Sequence, residues 1–226
     1  YGRITGLCVI SGRMYALQES ALASIPTTER EVLLTQDLKA VTIGGGQALD
    51  KANYISTEYG CQHKLGFTTT QSRIFFVDAK NQTFLQFSQA GLDRVSDNYR
   101  QHDALLEIND TIIEDATTIV LGHSLINNEI FISFCVEDKN YLTGNTLIYN
   151  IDVRQFVNWH THASPILLNQ GGLLVSNNPS NARELHTEYT GKRGWFYGKQ
   201  KKSIIEFVVA DRADFEKVFD NISLNL

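Results

Sequence analysis

The sequence has little proline and methionine, with three prolines and one methionine in 226 residues. It contains no run of about 18 apolar residues, so a transmembrane helix is not expected. Long apolar patterns with the helical period of 3.6 residues are nearly absent, which argues against a helical fold. The chain opens at Tyr1, without a start methionine or a charged-then-apolar leader. This opening predicts a fragment of a longer polypeptide.

The excess of one charge over the other is also small, because the net charge is only −5 and the isoelectric point is near 5.7. A protein that grips duplex DNA across a whole face is usually basic, so this composition argues against that role. A mildly acidic surface would suit simple solubility, and it would also suit a wall past which DNA slides without sticking.

Cysteine is the third scarce residue, with Cys8, Cys61 and Cys135 and no CxxC pair. Each lies in or beside an apolar stretch, which predicts reduced cysteines in the core. This favours folding in a reducing cytoplasm over a disulfide-stapled secreted domain.

Short β-prone runs separated by turn signals fill most of the chain and predict an all-β fold. The runs are grouped into four units, each a strand, a tight turn, an aromatic strand, a polar turn and closing strands. The predicted strands are 4–10, 13–17, 21–25 and 31–34; 64–70, 73–77, 83–87 and 91–95; 118–121, 129–136, 146–149 and 156–159; and 166–168, 173–175 and 184–187.

Four-stranded meanders in tandem are typical of β-propeller blades. The first turns of the units are Ser11-Gly12, Gln71-Ser72, Asn127-Asn128 and Gly171-Gly172, at irregular spacings of about 60, 56 and 43 residues. A β-sandwich or a sheet-rich mixed fold would give a similar string of strands. The interpretation is a domain of β-propeller-like repeats over residues 1–190, followed by a C-terminal strand segment over 191–226 that connects to another β domain.

One segment, residues 96–107, interrupts this pattern of strands, and the remaining predictions are a glycine turn and two C-terminal strands. Residues 96–107 begin with Ser96 as an N-cap and end in helix formers, which predicts a short inserted helix. Gly44-Gly45-Gly46 has neither the spacing nor the Lys-Ser of a phosphate-binding loop and predicts a flexible turn. Residues 204–209 and 218–224 predict two C-terminal strands.

A basic segment lies between residues 190 and 205, where five cations occur with no acidic residue among them. Trp195 and Tyr197 are interspersed with the cations. Such a mixture can bind single-stranded nucleic acid. It can equally form an exposed hairpin that docks on an acidic neighbouring subunit, or a solvated loop. The cations are Lys192, Arg193, Lys199, Lys201 and Lys202.

Residues that could carry chemistry are few. His160 and His162 point to the same side of a strand, as do Cys61 and His63, and these four could hold a zinc or copper ion. Ordinary polar strand residues are the simpler interpretation, and we assign no metal ligand. There is no G-x-S-x-G nucleophile elbow and no nucleotide, haem or flavin motif, so no catalytic residue and no cofactor is assigned.

Carboxylates that could serve a glycosidase lie instead in predicted turns, where acidic and amide side chains form hydrogen bonds with the backbone. They are Asp78, Glu114, Asp115, Asp138 and Asp152. Propeller glycosidases place acids at the tips of their blades. A propeller-type carbohydrate-active enzyme, or a glycan-binding module for receptor recognition, is therefore the alternative function.

Several segments of the sequence resemble the tail nozzle proteins, also called muzzle or "stabilization" proteins, of crAss-like and related short-tailed phages. The resemblance covers roughly residues 4–224 and rests on structural rather than catalytic motifs. The matching segments are 59–64, 72–78 and 91–97; 127–134, 146–150 and 156–159; and 196–200, 205–209 and 217–222.

This resemblance implies a non-enzymatic virion protein that is assembled in the bacterial cytoplasm. Several copies would form a ring around the DNA exit channel together with other tail proteins, and packaged DNA would pass through without sequence-specific binding. Family members are much longer than this chain. Trp159, Trp195 and Tyr197 are plausible anchors of the interfaces between subunits, although the position of Trp159 favours the core.

Overall fold

The computed structural model describes residues 1–25, 31–34, 40–43, 52–100, 118–138, 141–178 and 180–204. Within them the fold is all-β, with several antiparallel sheets and no α-helix. No described helix has the length and apolar character needed to cross a membrane. By contacts the chain divides into two units, Tyr1–Thr190 and Gly191–Leu226.

Four sheets form the first unit. Sheet 1 contains β1 (Ile4–Ile10), β2 (Arg13–Gln18), β3 (Ala21–Ile25) and β6 (Asn53–Ser56), and the hairpin of β4 (Glu31–Leu34) and β5 (Ala40–Ile43) is a separate two-stranded sheet. Sheet 2 contains β7 (Phe67–Thr69), β8 (Ile74–Asp78), β9 (Thr83–Ser88) and β10 (Gly91–Arg94). Sheet 3 contains β11 (Thr118–Ser124), β12 (Glu129–Asp138), β13 (Tyr141–Asn150) and β14 (Gln155–His160). Sheet 4 contains β15 (Leu167–Gln170), β16 (Leu173–Asn178) and β17 (Asn181–Thr187).

The strands within each sheet follow chain order as an antiparallel meander, except that β6 pairs with β3 in sheet 1 after the intervening hairpin of β4 and β5. Ser11 and Gly12 both have positive φ, at 49° and 75°, and so do Gly171 and Gly172, at 60° and 86°. Paired positive φ values fit a two-residue hairpin turn whose twist matches that of its strands. These turns explain why the first two strands of sheets 1 and 4 pair directly.

Successive sheets pack face to face, and alternate residues along a strand contact the sheets on its two opposite faces. Ile74 and Phe76 of β8 join the cluster shared with sheet 1, whereas Phe75 and Val77 join the cluster shared with sheet 3. A smaller cluster joins sheets 3 and 4 through Phe131 and neighbours that include Leu174. The core therefore consists of three apolar layers between four sheets.

The first strands of the sheets lie next to one another in succession. β1 contacts β7, β7 contacts β11, and β11 contacts β15. The amide of Leu121 on β11 donates to the carbonyl of Leu65, just before β7, at 2.8 Å. One edge of each sheet thus lies against the same edge of the next.

The structure corrects the predicted first unit. The run 31–34 is a strand, but it pairs with β5, and β6 supplies the fourth strand of sheet 1 through pairs such as Ala23 with Tyr54. Local sequence does not specify this pairing, because β6 lies far along the chain from β3 and contains few β-prone residues.

The predicted helix at 96–107 is a 3-10 helix over Val95–Arg100 in its described part, and residues 101–107 lie outside the described residues. The Gly44-Gly45-Gly46 turn and the C-terminal strand at 218–224 lie outside them as well, as does all of 204–209 except Ile204. The second unit is described as a hairpin of β18 (Trp195–Phe196) and β19 (Lys199–Gln200).

Candidate functional site

A polar groove of about 980 Å³ opens where turns of sheets 2, 3 and 4 meet. The turn between β7 and β8 supplies Arg73, the turn between β13 and β14 supplies Asp152 and Arg154, and the start of sheet 4 supplies Asn169. These residues lie at or near turns at one end of the strands, so the meander brings them together.

A chain of hydrogen bonds crosses the floor of this groove. The Nε2 atom of His123, a nearly buried residue, lies 3.2 Å from Oδ1 of Asn128, whose Nδ2 donates to Asp152 at 2.7 Å. The Nδ2 atom of Asn169 donates to the carbonyl oxygen of His123 at 3.0 Å. The chain fixes three turns to one another, and its remaining polar atoms could hydrogen-bond a hydroxyl-rich ligand.

A second groove, of about 550 Å³, shares Arg73 and Arg154 with the first and adds Asp93 and Tyr149. Burial raises the pKa of Tyr149, while the charge of Arg154 acts in the opposite direction. Asp152 is the carboxylate residue of the first groove and Asp93 that of the second, and no tryptophan of the described residues lines either. The grooves therefore lack the cluster of carboxylates and tryptophans that the glycosidase alternative would require.

Asp78, which the sequence predicts in a turn, is the last residue of β8, and its side chain is fully buried. Its carboxylate accepts hydrogen bonds from the Gly60 amide at 3.0 Å and from Gln62 Nε2 at 3.0 Å. It also accepts from the Asn81 amide at 3.0 Å and from Asn81 Nδ2 at 2.9 Å. Gly60 and Gln62 belong to the segment that follows sheet 1, and Asn81 belongs to the turn between β8 and β9. Asp78 therefore fixes that segment to that turn, which is a structural role.

Of the other turn carboxylates, Asp152 belongs to the groove. Glu114 and Asp115 lie outside the described residues, and Asp138 ends β12 with a side chain that is not described.

The four residues considered for a metal site do not form one. The rings of His160 and His162 stack with centroids 4.9 Å apart, and the Cys61 thiol donates to the carbonyl of His63 at 3.2 Å. Within the described part of the chain no three His, Cys, Asp or Glu residues are grouped to hold a metal ion. Burial lowers the pKa of His160 to about 4, which favours its neutral form inside the protein.

The three cysteines are free thiols, with Cys61 and Cys135 buried and Cys8 half-buried on β1. Burial raises the pKa of Cys61 to about 12 and that of Cys135 to about 11. Thiols that stay protonated at neutral pH are poor nucleophiles, which fits a packing role.

Polar residues at the interface of sheets 3 and 4 carry more contacts than the sequence indicated. Ser164 is buried, its amide donates to Ser133 Oγ at 2.7 Å, and its hydroxyl donates to Asn177 Oδ1 at 3.0 Å. Ser176 Oγ donates to Glu188 at 2.5 Å, and burial raises the pKa of that carboxyl. These hydrogen bonds join residues that are not close in the sequence, so no local motif predicts them.

Two of the three predicted aromatic anchors are exposed. Trp159 is 43 % exposed on β14, the last strand of sheet 3, so the expectation that it belongs to the core is wrong. An outer strand has a neighbour on one edge only, which leaves a large ring partly in solvent. Trp195 is 45 % exposed, and Tyr197 is half-buried in the hairpin turn.

A family model described as the crassvirus muzzle protein matches residues 1–180. This match covers all four sheets except β17, which begins at Asn181. The chain belongs to the crassvirus muzzle protein family. Membership in the muzzle family makes it a structural component of the virion of crAss-like phages, and it confirms the family inferred from the sequence. No curated protein matches the chain.

Proposed function

We propose that the chain acts as a muzzle-type part of a phage tail, in which several copies form a ring around the DNA exit channel. The ring would retain packaged DNA and later let it pass, in contact with other tail proteins. The observation that carries this proposal is the family match over 1–180, the same region that folds into stacked sheets. Assembly takes place in the host cytoplasm, consistent with three free thiols.

The four sheets act as successive blades of a β-propeller-like domain over residues 1–190, with the segment 191–226 leading to another β domain. Two features support the blades, namely the meander order within each sheet and the succession of first strands β1, β7, β11 and β15 along one edge. Blades stacked in this way expose few strand edges and resist bending. Stiffness suits a ring that holds DNA under pressure.

The role is non-enzymatic. The groups that would serve catalysis are engaged in structure instead, as with Asp78 in its four hydrogen bonds and the protonated thiol of Cys61.

Mass measurement in solution tests the ring. Sedimentation of the purified chain should give a particle whose mass is a multiple of 25.4 kDa, and electron micrographs should show closed rings. A monomer that persists as concentration rises would contradict the ring.

Glycan binding is the second candidate function, and the groove that holds His123, Asn128 and Asp152 favours it. A glycan array would detect binding, and incubation with the bound glycan would detect hydrolysis. Binding that disappears in Asp152→Ala but persists in the distant control Asp97→Ala would support a lectin-like role. Turnover at ordinary enzyme rates would contradict the non-enzymatic role.

A further inference from the structure

Positive charge is concentrated in one short stretch of this acidic chain. Residues 191–204 hold five Lys or Arg residues and no Asp or Glu, so they contribute +5. With a total of −5, the rest of the chain carries −10. Two cations of the first unit have acidic partners, namely Arg3 with Glu19 at 2.9 Å and Arg94 with Asp97 at 2.9 Å. Among the residues that the structure describes, the cations of 191–204 form no such ion pair, and this charge is available to an external anion.

The stretch has a defined backbone on which the cations are displayed. Trp195 pairs with Gln200, and Phe196 pairs with Lys199. Tyr197 and Gly198 form the turn with φ values of 49° and 75°, which suits a tight two-residue hairpin. The Lys201 amide donates to the Gly194 carbonyl at 2.7 Å and extends the hairpin by one further pair.

A cleft of about 680 Å³ beside the hairpin is lined by three cations, Arg193, Lys201 and Lys202. All three are exposed, and Gly194, Gln200, Ser203 and the apolar Ile204 complete the lining. Arginine presents a planar fork of donors that matches a phosphate, and lysine adds a mobile point charge. A phosphodiester is therefore the anion that this cleft fits.

An exposed aromatic ring belongs to the same hairpin, on Trp195, which pairs with Gln200 of the cleft. Lys192 Nζ lies 5.7 Å from the centroid of the Trp195 ring, which remains 45 % exposed. Exposed rings among cations are the pattern by which proteins hold a nucleic-acid strand, since cations contact the phosphates and the ring stacks on an unpaired base. An acidic protein surface would use the charges but would not need the ring.

We propose that the hairpin at 191–204 binds the phosphodiester backbone of DNA. The proposal rests on the proposed function, because a muzzle-type ring would bring DNA close to the chain. The acidic remainder would keep the rest of the surface from adhering, so that contact would be confined to the hairpin. Duplex and unpaired strands share this backbone chemistry, and only an unpaired strand can also stack on Trp195.

Fluorescence anisotropy with labelled duplex and single-stranded DNA tests the proposal on the full chain. If all five cations contact phosphates, the affinity should fall by two to three orders of magnitude between about 50 and 200 mM salt. The triple variant Lys199→Glu, Lys201→Glu, Lys202→Glu should bind at least about tenfold more weakly.

The matched control is Arg13→Glu, Lys64→Glu, Lys80→Glu, which changes the net charge equally at exposed positions outside the hairpin. Its affinity should stay within about threefold of the parent. Equal losses in the two triple variants, or no DNA binding at low salt, would overturn the proposal. Polyglutamate bound as tightly as DNA would also overturn it, in favour of an acidic protein partner.

Trp195 fluorescence distinguishes binding to single-stranded DNA with base stacking from binding to the phosphodiester backbone alone. Trp159→Phe leaves Trp195 as the sole tryptophan, since the sequence has two. Quenching by single-stranded DNA alone would support binding with base stacking, and unquenched binding that the hairpin variant abolishes would support backbone contact alone. Sedimentation of the parent chain reports the ring independently, so a parent chain that sediments as a ring but does not bind DNA would refute the hairpin site and not the ring.

Discussion

Sheet 2 and sheet 4 are both antiparallel meanders, yet they differ in how they are buried. Every residue of β8 in sheet 2 is buried, because sheets 1 and 3 cover its two faces. In sheet 4, Leu174 faces sheet 3 and is buried, whereas Leu173 and Leu185 are 41 % and 64 % exposed. Position in the stack, rather than strand composition, decides how much each sheet contributes to stability.

The same comparison holds at the other end of the stack. In sheet 1, Leu17 and Leu22 join the layer shared with sheet 2, while Leu7 and Val9 remain more than half exposed. In stacked repeats each unit is stabilised by its neighbours, so substitutions should cost most in the middle of the stack.

The largest loss should follow from Phe75→Ala. The Phe75 ring is fully buried and lies 5.9 Å from the Phe84 ring and 6.3 Å from the Tyr149 ring, measured between centroids. Its removal leaves a cavity between sheets 2 and 3 and should lower the free energy of unfolding by about 3–5 kcal/mol. Urea unfolding measures this loss. Leu185→Ala in sheet 4 is the control and should change stability by less than about 0.5 kcal/mol; similar losses in the two variants would remove the distinction between the sheets.

A smaller loss should follow from Asp78→Ala, which deletes a fully buried carboxylate that accepts four hydrogen bonds. The orphaned donors, including the buried amide of Gly60, should cost about 2–4 kcal/mol. Asp93→Ala removes an exposed carboxylate from β10 of the same sheet and should be nearly neutral in urea unfolding. An unchanged midpoint for Asp78→Ala would show that the network does not stabilise the junction of sheets 1 and 2.

The junction of sheets 3 and 4 can be weakened by Gly122→Val. A Cβ atom on Gly122 would lie 2.7 Å from Leu167 Cβ and 2.9 Å from Leu174 Cδ1, so β15 and β16 would have to move. We expect a loss of about 1–3 kcal/mol from overpacking. The loss should appear as earlier exposure of sheet 4 to proteolysis than of sheet 2. Leu173→Ala on the opposite face serves as control, and earlier cleavage within sheet 2 would contradict the expected order.

The smallest effect concerns pH. Because the pKa of His160 falls from 6.5 to about 4 on burial, the unfolded chain binds a proton more readily than the folded chain between those values. Stability should therefore fall as pH falls through this window, by about 1–2 kcal/mol between pH 7 and pH 5.

Urea unfolding of His160→Gln at both pH values isolates this contribution, because the variant should lose it. Glu188 acts in the opposite direction, since its raised pKa makes protonation stabilising as pH falls. Identical pH dependence in the parent and the variant would show that His160 does not titrate as its burial implies.

The sequence predicted sheets 2 and 3 closely, because alternating aromatic runs such as 129–136 and the turns between them are local signals. It could not predict β6 in sheet 1, since β6 pairs with β3, from which it is far apart in the sequence, and local patterns do not indicate such pairings. It misplaced Trp159, because strand composition does not reveal which strand is outermost. The groove around His123 was missed for a similar reason, since its polar residues come from turns of three different sheets.

Native-state hydrogen exchange on the full chain tests most directly whether face-to-face stacking holds the sheets together. The amides of β8 and β12 should exchange slowest, with free energies of opening equal to that of global unfolding. Those of β15 and β17 should open at lower free energy, because sheet 4 is covered on one face. Equal protection of sheet 4 and β8, or local opening of β8, would contradict a stack stabilised at its centre.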